Sequence, residues 1–160
     1  MTGPKPPAPV CARCGMVIKY MLKVTGRPGE PEFVWKHGGP ADHEPVLAPA
    51  IEPPRLYCDF CLAPDPGWVI DTERDFKILT VAPDGSSLLE NFTGGWAACE
   101  QCARLVRTGQ RRALLTRAVA TITASSSGEH AHQQARVAQI HAAFFASGPH
   151  SPRRKDQDTH

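Results

Sequence analysis

The hydrophobic and polar positions of this chain change their period along its length. Short runs rich in β-branched and aromatic residues predict strands over residues 16–24, 33–37, 68–70, 76–81 and 86–92. From Trp96 onward the pattern becomes helical, and apolar residues at i, i+3, i+4 and i+7 spacing predict an amphipathic helix over 129–146. Strands early and helices late indicate a small α+β fold with a C-terminal helical region.

Chain breakers divide this pattern into segments, because the sequence has 16 prolines and 13 glycines in 160 residues. The expected segments are a disordered Pro-rich tail (1–9), a first module (10–46), an extended linker (47–54), a second module (55–124), the helix 129–146 and a disordered tail (147–160). Each module has few large apolar residues. We therefore expect small cores that need metal ions or disulfides for stability.

The six cysteines form three Cys-x-x-Cys pairs, and two histidines lie between the first and second pairs. Six thiolates and two imidazoles make eight ligands, enough for two tetrahedral zinc sites. The sequence therefore predicts two structural Zn²⁺ ions. The expected ligands of one ion are Cys58, Cys61, Cys99 and Cys102, and those of the other are Cys11, Cys14, His37 and His43.

In the second module, the ligands follow the spacing Cys-x2-Cys-x37-Cys-x2-Cys. The first pair is compatible with a zinc knuckle, and strands follow it. Cys99 and Cys102 then fall on the first turn of a helix, where free N–H groups and the helix dipole stabilise thiolates. This order is typical of treble-clef and zinc-ribbon-like modules.

In the first module, the spacing is Cys-x2-Cys-x22-His-x5-His. Gly15 directly follows the second cysteine and tolerates the positive φ of a knuckle turn. A carboxylate at Asp42 or Glu44 can fix the tautomer of a ligating histidine. A rival ligand set takes its imidazoles from the last helix, which carries His130, His132 and His141.

Charge is distributed unevenly, although the net charge is only +2. Residues 101–128 contain no carboxylate and five arginines: Arg104, Arg107, Arg111, Arg112 and Arg117. This block predicts a surface for DNA or RNA, with three of the arginines on one face if the helix runs through Gly109. The alternatives are a solvated helix face, or a protein–protein adaptor that uses Phe144 and Phe145 of the last helix.

Three observations bear on catalysis. Cys-x-x-Cys pairs also occur in dithiol oxidoreductases, but the βαβ pattern of those enzymes is missing. Asp42-His43 resembles the start of a ββα-metal nuclease motif, whose downstream Asn and His are missing. Both expected metal sites have four protein ligands, so neither leaves a position for water or substrate. We therefore expect a protein that is not an enzyme.

The remaining expectations concern location and packing. Residues 1–7 lack the apolar core of a secretion signal, and no apolar run is long enough to span a bilayer. We expect a cytoplasmic protein that does not enter membranes and keeps its thiols reduced. We also expect the three tryptophans, Trp35, Trp68 and Trp96, to pack against the knuckles.

Part of the second module also carries a resemblance. The stretches Cys58–Trp68 (CDFCLAPDPGW), Arg74–Phe76 (RDF) and Gly94–Cys102 (GGWAACEQC) resemble a framework found in small zinc-finger-like proteins of actinobacteria and their phages. The similarity covers about residues 55–120 and includes aromatic and acidic positions besides the cysteines. It implies a zinc-finger-like domain and a high-GC bacterial or phage source, and it implies no activity.

Overall fold

A computed structural model describes residues 9–24, 32–37, 41–48, 55–81, 85–125 and 130–158. These residues form nine short strands and three helices, in a small α+β arrangement. The elements are β1 (Val10–Cys11), β2 (Ile18–Val24), β3 (Glu32–His37), β4 (Leu47–Ala48), β5 (Trp68–Ile70), β6 (Phe76–Val81), β7 (Ser87–Phe92), β8 (Trp96–Ala98), α1 (Glu100–Arg107), α2 (Arg111–Ser125), α3 (His130–Ala146) and β9 (Arg153–Arg154).

A four-stranded antiparallel sheet in the order β3-β2-β7-β6 joins the two halves of the chain. β2 pairs with β7 through Leu22 opposite Leu89. The segments 10–46 and 55–124, expected as separate modules, therefore share one sheet. Met21 and Ile78 are buried on one face of this sheet. The other face exposes large apolar side chains, including Tyr20 and Leu79.

A three-stranded sheet in the order β8-β5-β9 corrects two expectations. Residues Trp96–Ala98 form β8 rather than the start of a helix, because Trp96 pairs with Ile70 and both side chains are buried. The segment 147–158 is not a disordered tail, since Arg153 and Arg154 form β9 beside β5. The Arg154 guanidinium also lies 5.0 Å from the ring centroid of Trp68.

Two other expected boundaries also change. Residues 47–48 of the expected linker form β4, which pairs with β1, while 49–54 and residues 1–8 of the expected N-terminal tail lie outside the described residues. The helix after Cys102 ends at Arg107, and Gly109 takes a left-handed φ of 68° before α2 begins at Arg111. It therefore does not run through Gly109.

The core lies where α3 packs against the second knuckle and β8. Phe144 is fully buried, and its ring centroid lies 4.7 Å from that of Trp96 and 5.1 Å from that of Phe60. Trp35, in contrast, lies on the exposed face of the four-stranded sheet, 4.6 Å from the ring of Tyr20. Across the described segments, no helix combines the length and apolar character needed to cross a membrane.

Candidate metal centres

The second knuckle is a tight turn that holds Cys58 and Cys61 in place. The backbone N–H of Leu62 donates to the carbonyl of Cys58 at 2.9 Å, and the N–H of Cys58 donates to the carbonyl of Ala63 at 2.8 Å. Leu62 adopts a φ of 59°, the left-handed conformation that such a turn requires. Asp59 fastens the knuckle to β8, since its carboxylate accepts the N–H of Ala97 at 2.7 Å.

The other two sulfurs of this centre come from the start of α1. Cys99 is the N-cap residue, with extended backbone, and Cys102 lies in the first turn. The carbonyl of Cys99 accepts the N–H of Ala103 at 2.9 Å, which closes the first helical bond. Thiolates at this position face the positive end of the helix dipole. The structure thus brings together the two cysteine pairs of the second module, which are far apart in sequence.

The four sulfurs have the spacing of a tetrahedral metal site. All lie within 4.8 Å of one another, and Cys61 Sγ and Cys99 Sγ are 3.7 Å apart. A tetrahedron with zinc–sulfur distances of ~2.3 Å separates its sulfurs by ~3.8 Å. A disulfide has sulfurs only ~2.05 Å apart, and all six cysteines are free. This cluster can therefore hold a metal ion.

Because the four thiols lie so close together, their pKa values differ from one another. Hydrogen bonds from Cys102 and Cys58 lower the pKa of Cys61, while contacts with Cys58 and Cys61 raise the pKa of Cys102. One thiolate therefore forms easily and opposes the ionisation of its neighbours. A divalent cation among the sulfurs removes this conflict, because it attracts all four thiolates at once.

Arg117 is the one of the five arginines that faces this centre. Burial by itself lowers the pKa of an arginine, but attraction to Cys61 and hydrogen bonds to Cys61 and Cys102 raise the pKa of Arg117 above its usual value. Four thiolates around a divalent metal leave two negative charges, so a guanidinium here offsets part of that charge. Arg117 therefore acts on the metal centre, and it also lines an open depression beside the start of α2 together with Arg111 and Arg112.

The first knuckle repeats the local geometry of the second. The N–H of Gly15 donates to the carbonyl of Cys11 at 2.8 Å, and the N–H of Cys11 donates to the carbonyl of Met16 at 2.8 Å. Gly15 adopts a φ of 71°, as expected for the residue that follows the second cysteine. Burial raises the pKa of a thiol, but backbone hydrogen bonds from Val46 and Arg13 and the nearby imidazoles of His37 and His43 lower the pKa of Cys11 to about 5.

Two imidazoles complete the first cluster. His37 ends β3, and its ring centroid lies 4.8 Å from that of His43. His43 Nδ1 donates to Asp42 Oδ1 at 2.9 Å, which leaves the lone pair of Nε2 free to face Cys11. Of the two carboxylates considered, Asp42 makes this contact. His37 Nε2 is buried and has no hydrogen-bond partner among the described residues, as expected for an atom that binds a metal.

The donor distances in the first cluster also fit a metal ion. The four donor atoms of Cys11, Cys14, His37 and His43 lie within 4.8 Å of one another. A tetrahedral zinc with bonds of ~2.3 Å to sulfur and ~2.0 Å to nitrogen separates those two donors by ~3.5 Å. Cys11 Sγ and His43 Nε2 are 3.4 Å apart. Two clusters of four donors each are therefore present, as the cysteine spacing predicted.

The rival histidines take no part in either cluster as far as the described residues show. His141 is buried on α3, with its ring edge-on to Phe60 at 5.5 Å. His132 is half-buried on the same helix. The side chain of His130 lies outside the described residues. The ligands that the structure brings together come from the three cysteine pairs, from β3 and from the segment that carries His43, and not from the last helix.

The other four arginines occupy two kinds of position. Arg104 and Arg107 are exposed on α1, and Arg112 is exposed on α2. Arg111 instead lies over the ring of Phe145, 4.6 Å from its centroid. Arg111 and Arg112 also line one depression beside the start of α2 with Arg117. Arg104, Arg107 and Arg112 are therefore exposed on either side of the turn between α1 and α2.

Comparison with known protein families, with curated proteins and with solved structures yields no match for this chain. The two donor clusters are therefore the main basis for a functional assignment. Sequence reasoning identified all eight donors because cysteine pairs are visible as local motifs. It did not anticipate that Arg117 acts on the thiols, because an arginine on the helix that follows a cysteine pair carries no local signal of contact with that pair.

Proposed function

We propose that this chain is a non-enzymatic binding protein whose fold is held by two structural zinc ions. The observation that carries the proposal is the presence of two four-donor clusters, one of four sulfurs and one of two sulfurs and two imidazoles. Zinc is the metal that favours both donor sets with tetrahedral geometry. Four protein donors close the coordination sphere, so neither ion has a position for substrate.

The zinc ions would stabilise the fold in place of a large hydrophobic core. The second centre would tie the knuckle at Cys58 to α1, and the first would tie β3 to the knuckle at Cys11. The order of knuckle, strands and ligand-bearing helix supports a treble-clef-like second centre, although β5 pairs with β8 rather than with β6. Free thiols support a reducing compartment such as the cytoplasm.

The partner we propose is DNA or RNA, bound through its phosphates. Arg104, Arg107 and Arg112 are exposed close together in sequence, and residues 101–128 contain no acidic side chain that would repel a phosphate. A shallow depression of about 910 Å³ beside the start of α2 is lined by Arg111, Arg112 and Arg117. The alternative adaptor surface is less available, because Phe144 is fully buried and Phe145 lies under Arg111.

The test is salt-dependent binding of the zinc-loaded protein to random-sequence oligonucleotides. Each phosphate contact contributes about 0.9 to the slope of log K against log salt for duplex DNA, so Arg104→Ala/Arg107→Ala should lower the slope by about two. The matched control, Lys36→Ala/Lys77→Ala, removes the same charge from exposed positions on β3 and β6. Equal losses in both variants, or no binding by the parent protein, would reject nucleic acid as the partner.

The dithiol alternative has its own test. An oxidoreductase needs one pair of cysteines that can reach a substrate disulfide, whereas Cys58 and Cys61 are buried within a cluster of four sulfurs. We expect no thiol–disulfide turnover by the zinc-loaded protein. Turnover that persists with both zinc ions bound would contradict the structural role of the second centre.

A further inference from the structure

A cleft of about 720 Å³ lies between the four-stranded sheet and α3. Small-molecule sites usually have volumes of ~300–1,000 Å³. Residues of β2, β7 and α3 line it together with Phe60 of the second knuckle, and none of the eight candidate metal ligands does so within the described segments. The cleft is therefore a feature separate from both metal centres.

One wall of the cleft is aromatic. Phe92 and Trp96 stack with an interplanar angle of 15° and a centroid distance of 5.5 Å, and both line the cleft. Phe60, which is almost fully buried, also contributes. Trp96 is only 5% exposed and already stacks on Phe76 and Phe92, but aromatic rings also pack edge-to-face and offset, so such a wall favours an aromatic group.

Charged side chains line the cleft in unequal numbers. The basic ones are Lys19, Arg55, Arg136 and Lys155, and the acidic ones are Asp59 and Glu90. Arg136 forms an ion pair with Glu90, and Lys19 Nζ lies 3.7 Å from Asp59 Oδ1. Among the described residues, neither Arg55 nor Lys155 forms a close ion pair, although the charges of Asp59 and Asp65 attract Lys155. This surplus of positive charge favours an anion.

His141 adds a polar group without a partner. The residue is only 5% exposed and lines the cleft, and its Nδ1 has no hydrogen-bond partner in the part of the chain that the structure describes. Burial lowers the pKa of His141 to about 4, so the ring is neutral at pH 7. Buried polar atoms are usually hydrogen-bonded, and a bound molecule can supply the missing bond.

We propose that this cleft binds a small aromatic anion, with its ring against Phe92 and Trp96, its charged group near Arg55 and Lys155, and a hydrogen bond to His141. A carboxylate and a phosphate satisfy the same charge requirement. The site does not depend on the arginines of α1 and α2. Failure of nucleic-acid binding would leave this inference standing, and the reverse also holds.

The experiment is NMR titration of the full, zinc-loaded chain with indoleacetate, with adenosine monophosphate and with the neutral analogue indoleacetamide. We expect saturable shifts of the Trp96 indole N–H and the His141 ring with at least one anion, and binding of indoleacetamide at least tenfold weaker than that of indoleacetate. Binding of indoleacetate identifies a carboxylate ligand, and preference for the nucleotide identifies a phosphate ligand. Lys155→Gln should weaken binding about tenfold, because it removes one charge-assisted contact.

Two further variants keep the test decisive. Lys36→Gln removes an exposed charge on β3 outside the cleft and should bind as tightly as the parent protein. Val137→Trp fills the cleft from α3 and should abolish the shifts, and its free spectrum reports whether the fold is retained. The proposal is overturned by the absence of saturable shifts with both anions at millimolar concentration, by equal affinity of Lys155→Gln and parent, or by shifts confined to the exposed Phe33 and Trp35, which lie outside the cleft.

Discussion

Removal of the Asp42 carboxylate should weaken zinc binding at the first centre while leaving the second centre unchanged. His43 Nδ1 donates to Asp42 Oδ1 at 2.9 Å, which fixes the ring with Nε2 toward Cys11. The same contact raises the pKa of His43 and lowers that of Asp42. Without it the imidazole can rotate or change tautomer, and it becomes a poorer ligand.

The expected size of this effect follows from the exposure of the two side chains. Loss of a carboxylate that orients a metal-bound histidine typically weakens metal binding ~10–100-fold. The His43 side chain is 9% exposed but that of Asp42 is 95% exposed. Water and salt therefore screen the carboxylate, and we expect Asp42→Ala to lie near tenfold. Asp42→Asn should lose less, because its amide oxygen can still accept the hydrogen bond.

The assay is competition with a chromophoric chelator, and cobalt substitution distinguishes the two centres by their different donor sets. Glu44→Ala is the matched control, since Glu44 is also an exposed carboxylate beside His43 in sequence. It should bind zinc as tightly as the parent protein. An unchanged affinity for Asp42→Ala, or an equal loss for Glu44→Ala, would refute the reasoning.

Three other perturbations have defined outcomes. Cys61→Ala should leave one zinc per chain in native mass spectra and abolish cooperative unfolding, because Cys61 is buried at the core; retention of two zinc ions would contradict its role. Gly15→Ala should destabilise the folded state by ~1–2 kcal/mol in denaturant titrations, because the φ of 71° is unfavourable for alanine. The new Cβ would make only an ordinary contact with the Arg55 side chain, at 3.8 Å, so backbone strain is the sole expected cause. An unchanged unfolding midpoint would contradict this. His141 has a pKa lowered to about 4 by burial, so protonation of the unfolded chain should remove up to ~3 kcal/mol of stability as pH falls from about 6.5 to 4. In His141→Gln, the free energy of unfolding should fall less over this pH range. An unchanged dependence of stability on pH would contradict the burial of a neutral His141.

Local signals in the sequence were sufficient for the donor sets. A Cys-x-x-Cys pair forms a knuckle within a few residues, and Gly15 has the φ that its position requires. The helix predicted over 129–146 likewise depends on local periodicity, and α3 spans His130–Ala146. In each case the residues that decide the structure lie within a turn or two of one another.

The sequence did not reveal the contacts between distant segments. Pairing of β2 with β7 joins Leu22 to Leu89, and neither strand carries a mark of its partner. Trp96–Ala98 forms a strand because β5 supplies hydrogen bonds and the core covers Trp96, which outweighs the helix preference of the two alanines. Arg117 turns to the thiolates for the same kind of reason, since only the folded chain brings α2 beside Cys61.

The two proposed metal centres are tested most simply by zinc stoichiometry, measured by native mass spectrometry of protein purified without chelator. We expect two zinc ions per chain and loss of folded structure when both are removed. One zinc ion would place the error in the first centre, at His37 and His43. Protein that contains no zinc, or that pairs its six cysteines as disulfides, would contradict the central claim that metal ions hold this fold together.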